Sequence, residues 1–93
     1  MLHAFVLIDS QPGRIAALCE ELAVTEGVTE VFSVAGGVAD VVAIVRVRHH
    51  DDLADVVTRR ISALAGVEET TTLVAFQAYS RHDLEAIWEI GPD

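Results

Sequence analysis

The chain has 93 residues, which allows one domain with a modest core. Fifteen Asp and Glu stand against six basic residues, all arginine and scattered at 14, 46, 48, 59, 60 and 81, so the formal charge is −9. That balance argues against direct DNA or RNA binding, which needs a basic patch on phosphates, and against an anionic membrane surface.

The first strand is expected over about 2–9. Asp9-Ser10-Gln11-Pro12-Gly13 reads as a turn, with Asp9 or Ser10 placed to cap the next helix and Pro12 suited to its first turn. A helix over about 12–24 follows from Ile15, Leu18, Cys19 and Leu22 at 3–4 spacing, and Gly27 ends it. A second strand (28–35) runs to Gly36-Gly37, and a third (39–47) follows. His49-His50-Asp51-Asp52 opens a second helix, where acidic groups suit the N-terminal dipole. Its inner face is Leu53, Val56, Val57, Ile61 and Leu64; Gly66 stops it before a fourth strand (67–78).

The halves repeat. Leu18, Leu22, Gly27-Val28 and Glu30 recur 39 residues later as Val57, Ile61, Gly66-Val67 and Glu69. Phe5-Val6-Leu7-Ile8 likewise falls 39 before Ile44-Val45-Arg46-Val47. A strand–helix–strand unit used twice predicts an α+β, ferredoxin-like βαββαβ sandwich: a four-stranded antiparallel sheet with two helices on one face.

Strand parity then points to a partner. A sheet with one covered face should alternate apolar and polar residues. Here Phe5 and Leu7 point one way and Ala4, Val6 and Ile8 the other; Val42 and Ile44 oppose Val41, Ala43 and Val45. Two helices cover one face only, so the other is expected to meet the sheet of a second copy. Apolar residues make up 52% of the chain, high for a small monomer.

Residues 1–79 are expected to form the binding domain and 80–93 a tail with a short docking helix. Ser80-x-x-Asp83 resembles a helix start, with Leu84, Ile87 and Trp88 on one face and Glu85 and Glu89 opposite. No basic N-terminal region marks a signal peptide, and no apolar run approaches the roughly 18 residues that span a membrane. With one cysteine, no intrachain disulfide can form, and the cytosol is the simplest compartment.

Catalytic signals are thin. No Ser-His-Asp or Cys-His arrangement follows from spacing, and Cys19 belongs to a helix's apolar face. His49-His50-Asp51-Asp52 is the most metal-like string, but it lies where a helix cap belongs; His82-Asp83 and His3 are weaker. The Cys-x-x-Cys of metal-carrying relatives of the fold is absent, and Gly36-Gly37 leads into a strand, unlike a phosphate loop. No cofactor is expected.

A binding signal is stronger. Gly36-Gly37-Val38-Ala39-Asp40 permits close approach to its backbone and ends in a carboxylate beside an apolar strand. The carboxylate could receive a ligand ammonium and the open amides a ligand carboxylate, a set suited to an amino acid. Thr70 and Thr72 complete the candidate site. The plain alternative is a glycine turn capped by Asp40, with threonines present for β-propensity.

Gly37-x-x-Asp40, an apolar strand, a helix with Leu53, and Gly66-Val67-x-x-Thr70-x-Thr72 together resemble the effector-binding half of Lrp/AsnC transcriptional regulators, the RAM domain. The resemblance covers about residues 3–78. It implies dimers joined through their sheets, often assembled into rings, with the effector between dimers near the glycine loop. It also implies a DNA-binding Lrp/AsnC regulator as a partner. Where the family usually has an aromatic before the aspartate, this chain has Ala39. The chain starts at its first strand, which reads as a stand-alone member without the helix-turn-helix.

Three functions stay open. The favoured one is a non-enzymatic, small-molecule-binding and oligomer-forming module that acts on transcription through a partner. A dimeric ferredoxin-like barrel enzyme, of monooxygenase or isomerase type, would need His3, His82 and Trp88 around a pocket. A ligand-free assembly module is the third.

Overall fold

The computed structural model describes residues 1–81. Its elements run β1 (Leu2–Ser10), α1 (Ile15–Ala23), β2 (Val28–Ser33), β3 (Val41–Val47), α2 (His50–Asp55) and β4 (Val67–Val74). The four strands form one antiparallel sheet in the order β2-β3-β1-β4. This is the expected βαββαβ sandwich, with the two central strands supplied by the corresponding segments of the two halves. The proposed tail helix over 80–93 falls almost entirely outside the described residues. Among those residues no helix is long and apolar enough to cross a membrane.

The covered face carries the core. Ala4, Val6 and Ile8 of β1 and Val41, Ala43 and Val45 of β3 are buried against Leu18 and Leu22 of α1 and Leu53 of α2. A glycine with φ of 96° lies in the turn after each helical segment, Gly27 before β2 and Gly66 before β4, so the sequence repeat is also a repeat of backbone geometry. Neither position has room for a side chain: a Cβ on Gly27 would lie 2.7 Å from Val56 Cγ2, and one on Gly66 would lie 2.9 Å from Arg14 Cβ.

Two expectations about helices are corrected. Helix α1 starts at Ile15, not near Pro12, because Pro12 and Gly13 are used in a turn closed by the Arg14 N–H donating to Gln11 O at 3.1 Å. Neither Asp9 nor Ser10 caps it; Arg14 is the N-cap and makes no side-chain capping bond. Helix α2 is the second correction. It stays α-helical only to Asp55 and continues as a π-helix over Val56–Ile61. An α-helix through this stretch would bring Arg60 beneath Val56, four residues on. The wider winding brings Ile61 inward, and Val56 and Ile61 are both buried. Arg60 is released to the rim, where it meets Asp55 at 3.2 Å and Glu26 at 3.6 Å and donates to Glu26 O at 3.0 Å.

The other sheet face is open. Phe5, Phe32 and Leu73 are exposed, and Leu7, Val42 and Ile44 lie beside them half-buried. The register places Phe5 between Ile44 and Leu73, and Leu7 between Val42 and Thr71.

Candidate functional site

The site builds on the β2–β3 connection. Gly36 and Gly37 take φ values of 142° and 84°, a region side chains rarely adopt, and nothing lies within 4 Å of a Cβ built on either. Val38 is 78% exposed, so the tip of the loop presents backbone and one apolar side chain to its surroundings. The chain then turns back in: Ala39 is buried, and Asp40 is half-buried beside β3.

Asp40 is held by three hydrogen bonds. Its N–H donates to Ile8 O at 3.0 Å, its carbonyl accepts from Val34 N–H at 3.0 Å, and its carboxylate Oδ2 accepts from Ser10 N–H at 2.9 Å. The carboxylate thus satisfies a backbone donor at the end of β1, where the pairing with β4 shifts register between Asp9 and Ser10. Its second oxygen has no partner among the described residues. Ser10 was missed by sequence reasoning as part of this site. The available signal was a polar residue continuing the buried set Ala4, Val6, Ile8.

Thr70 pairs with Ile8 and Thr72 with Val6, so Thr70 reaches the same end of β1 as Asp40 and Thr72 lies two pairs further away. Strand β1 runs between the threonines and Asp40. Asp40 is thereby joined to the end of β1, with Thr70 on the far side of that strand, while Gly36, Gly37 and Val38 project beyond the sheet. The main surface clefts lie elsewhere. One, about 350 Å³, sits between the end of β3 and α2 and is lined by Glu26, Arg46, Arg48, Asp52, Asp55 and Arg60.

Charge at the loop end of the sheet is negative. Asp9 stands opposite Glu69, with Asp40 and Glu68 nearby. Such a surface favours a cationic group on a ligand. Other candidate chemistry does not converge: among the described residues no three His, Cys, Asp or Glu side chains form a metal-holding group. His49 is the N-cap of α2 without a side-chain capping bond, and Asp51 and Asp52 occupy its first turn. Cys19 packs against the core, and burial pushes its thiol pKa up. His82 and Trp88, required for an enzymatic pocket, lie outside the described residues.

Similar solved structures include TTHA0845 from Thermus thermophilus, at 49% identity and TM-score 0.81, covering 87% of this chain and 100% of that one. The leucine response regulatory protein LrpA from Mycobacterium tuberculosis matches at 31% identity and TM-score 0.67, over 85% of this chain and 53% of its own. The transcriptional regulator NMB0573 from Neisseria meningitidis, solved as an L-Met complex, shares the fold at 14% identity and TM-score 0.70, over 86% of this chain and 53% of that one. No curated protein matches the chain. The family model described as the Lrp/AsnC ligand binding domain matches residues 3–84. With that match spanning most of the sequence, the chain belongs to the Lrp/AsnC ligand-binding domain family.

Proposed function

We propose that this protein is an effector-binding regulatory module that self-associates through its open sheet face. Its effector is an amino acid or a similar zwitterion, held where the Gly36–Asp40 loop of one protomer meets another protomer. The observation that carries this reading is the loop itself: two left-handed glycines with empty space around them, next to a carboxylate with one unused oxygen. In this arrangement Asp40 receives the ammonium, assisted by the acidic end of the sheet. The open amides of Gly36 and Gly37 receive the carboxylate. Val38 and Ala39 bound the side-chain region, and Thr70 and Thr72 supply hydroxyls from β4. A single chain presents the loop as an exposed projection, which is why the site needs a second protomer to enclose it. The L-Met complex of NMB0573 supports the class of ligand.

Any effect on transcription passes through a partner with its own DNA-binding domain, such as another Lrp/AsnC regulator. The charge of −9 and the lack of a basic stripe leave this chain poorly equipped to hold phosphates itself. A thermal-shift screen against the twenty amino acids, read with light scattering, tests the reading. Stabilisation should rise with free ligand concentration over its dissociation constant, for a limited set of amino acids. A dimer or larger assembly with no hit would favour the ligand-free assembly module.

A further inference from the structure

The cleft between the end of β3 and α2 lies at the end of the sheet away from the glycine loop. Its floor is apolar and its rim is ionic. The floor forms where Val47 and Val56 converge on Gly27: a Cβ placed there would lie 2.7 Å from Val56 Cγ2 and 3.6 Å from Val47 Cγ1. The Arg46 N–H donates to Gly27 O at 3.0 Å and ties this floor to β3. One wall is the π-helical stretch that starts at Val56. Such winding is rare and frequently found at functional sites. Here it sends Arg60 to the rim, where Asp55 and Glu26 hold it. Asp55 also meets Arg59 at 3.2 Å, so this side of the rim is neutralised within the chain.

Two opposite charges on the same rim are left over. Arg48, just past β3, and Asp52, in the first turn of α2, both line the cleft. Among the described residues neither makes an ion pair, with the other or with any third group. We infer that this cleft binds a small molecule with an anionic group at one end and a cationic group at the other, bridging Arg48 and Asp52 across the Val47–Val56 floor. An ω-amino acid has that form. The guanidinium fork suits the ligand carboxylate, and the Asp52 carboxylate accepts from the ammonium. The methylenes between the two ends lie on the valines and remove apolar area from water. An α-amino acid carries both charges on one carbon, so none of its methylenes can lie between them. The volume, about 350 Å³, is at the small end of ligand pockets and suits a ligand of this size. All of the lining comes from one chain, so the site is complete without a second protomer and independent of the Gly36–Asp40 loop.

The test is a titration of the whole chain with 5-aminovalerate, followed through the backbone amides by NMR. Valerate, pentylamine and norvaline, the α-amino isomer, serve as comparisons. 5-Aminovalerate should shift Gly27, Val47 and Val56 saturably, and bind at least about fivefold more tightly than any of the three. Arg48→Gln should lower its affinity to that of pentylamine, and Asp52→Asn to that of valerate. Both side chains are exposed, so the circular dichroism of the fold should persist in each variant. Affinity no higher than that of valerate or norvaline would overturn the bridging geometry. Unchanged affinity in both variants would overturn the assignment of Arg48 and Asp52. Shifts at Gly36 and Gly37 in place of Gly27, or no saturation by about 10 mM, would overturn the site itself.

Discussion

The two faces of the sheet have nearly the same apolar character and opposite fates. On the covered face Val6, Ile8, Val41, Ala43 and Val45 are fully buried by the helices. On the open face Phe5 is 40% exposed, Phe32 48% and Leu73 51%, although they are larger side chains. Burial of apolar area is worth roughly 25 cal/mol per Å². The covered face gains it within one chain, and the open face can gain it only from outside. The covered face therefore encodes folding, and under the proposed function the open face encodes association. The difference teaches that parity along a strand can specify a partner as plainly as it specifies a core.

Substitutions on the two faces should separate these roles. The largest effect on stability is expected from Leu22→Ala beneath the covered face. It empties a fully buried site and should cost about 2–5 kcal/mol in chemical denaturation. Oligomer size below the transition should not change. Ile44→Glu puts a charge at the centre of the open face, directly beside Phe5. It should turn the assembly into monomers in size-exclusion chromatography with light scattering, while the circular dichroism of the fold is retained. If Ile44→Glu left the assembly intact, the division between the faces would fail. A smaller effect is expected at Cys19, on the helix side. Its raised thiol pKa leaves less thiolate than a free cysteine has at pH 8, so alkylation should be slower than for a cysteine-containing peptide and accelerate on denaturation. Equal rates in the folded and denatured protein would mean that α1 does not shield it.

Much of this was legible in the sequence. The 39-residue repeat, the 3–4 spacing of Leu18 and Leu22, and the recurring Gly-Val step lead to the βαββαβ order, because each is a local pattern with a local cause. The π-helical continuation was not legible. Val56 through Ile61 fits an α-helix by propensity, and the choice depends on whether Arg60 or Ile61 meets the core, which is a matter of tertiary packing. The glycine loop and Asp40 could be singled out by residue type. The bond from Ser10 N–H to Asp40 could not, since it joins residues 30 apart and exists only once β1 and β3 are paired. The pairing of Asp9 with Glu69 depends on register in the same way: neither carries a signal until β4 sets them opposite each other.

The most direct test of the account is calorimetry on wild type and Asp40→Asn with the amino acid found by thermal screening. Asparagine keeps the size and can still accept the Ser10 N–H through its amide oxygen, so fold and assembly should persist. The charge for the ligand ammonium is lost, a contact worth roughly 1.5–3 kcal/mol, and binding should weaken on the order of ten- to a hundredfold. Equal affinity for the two proteins, with the same oligomer size, would show that Asp40 serves only to hold the end of β1, and would contradict the proposed effector site.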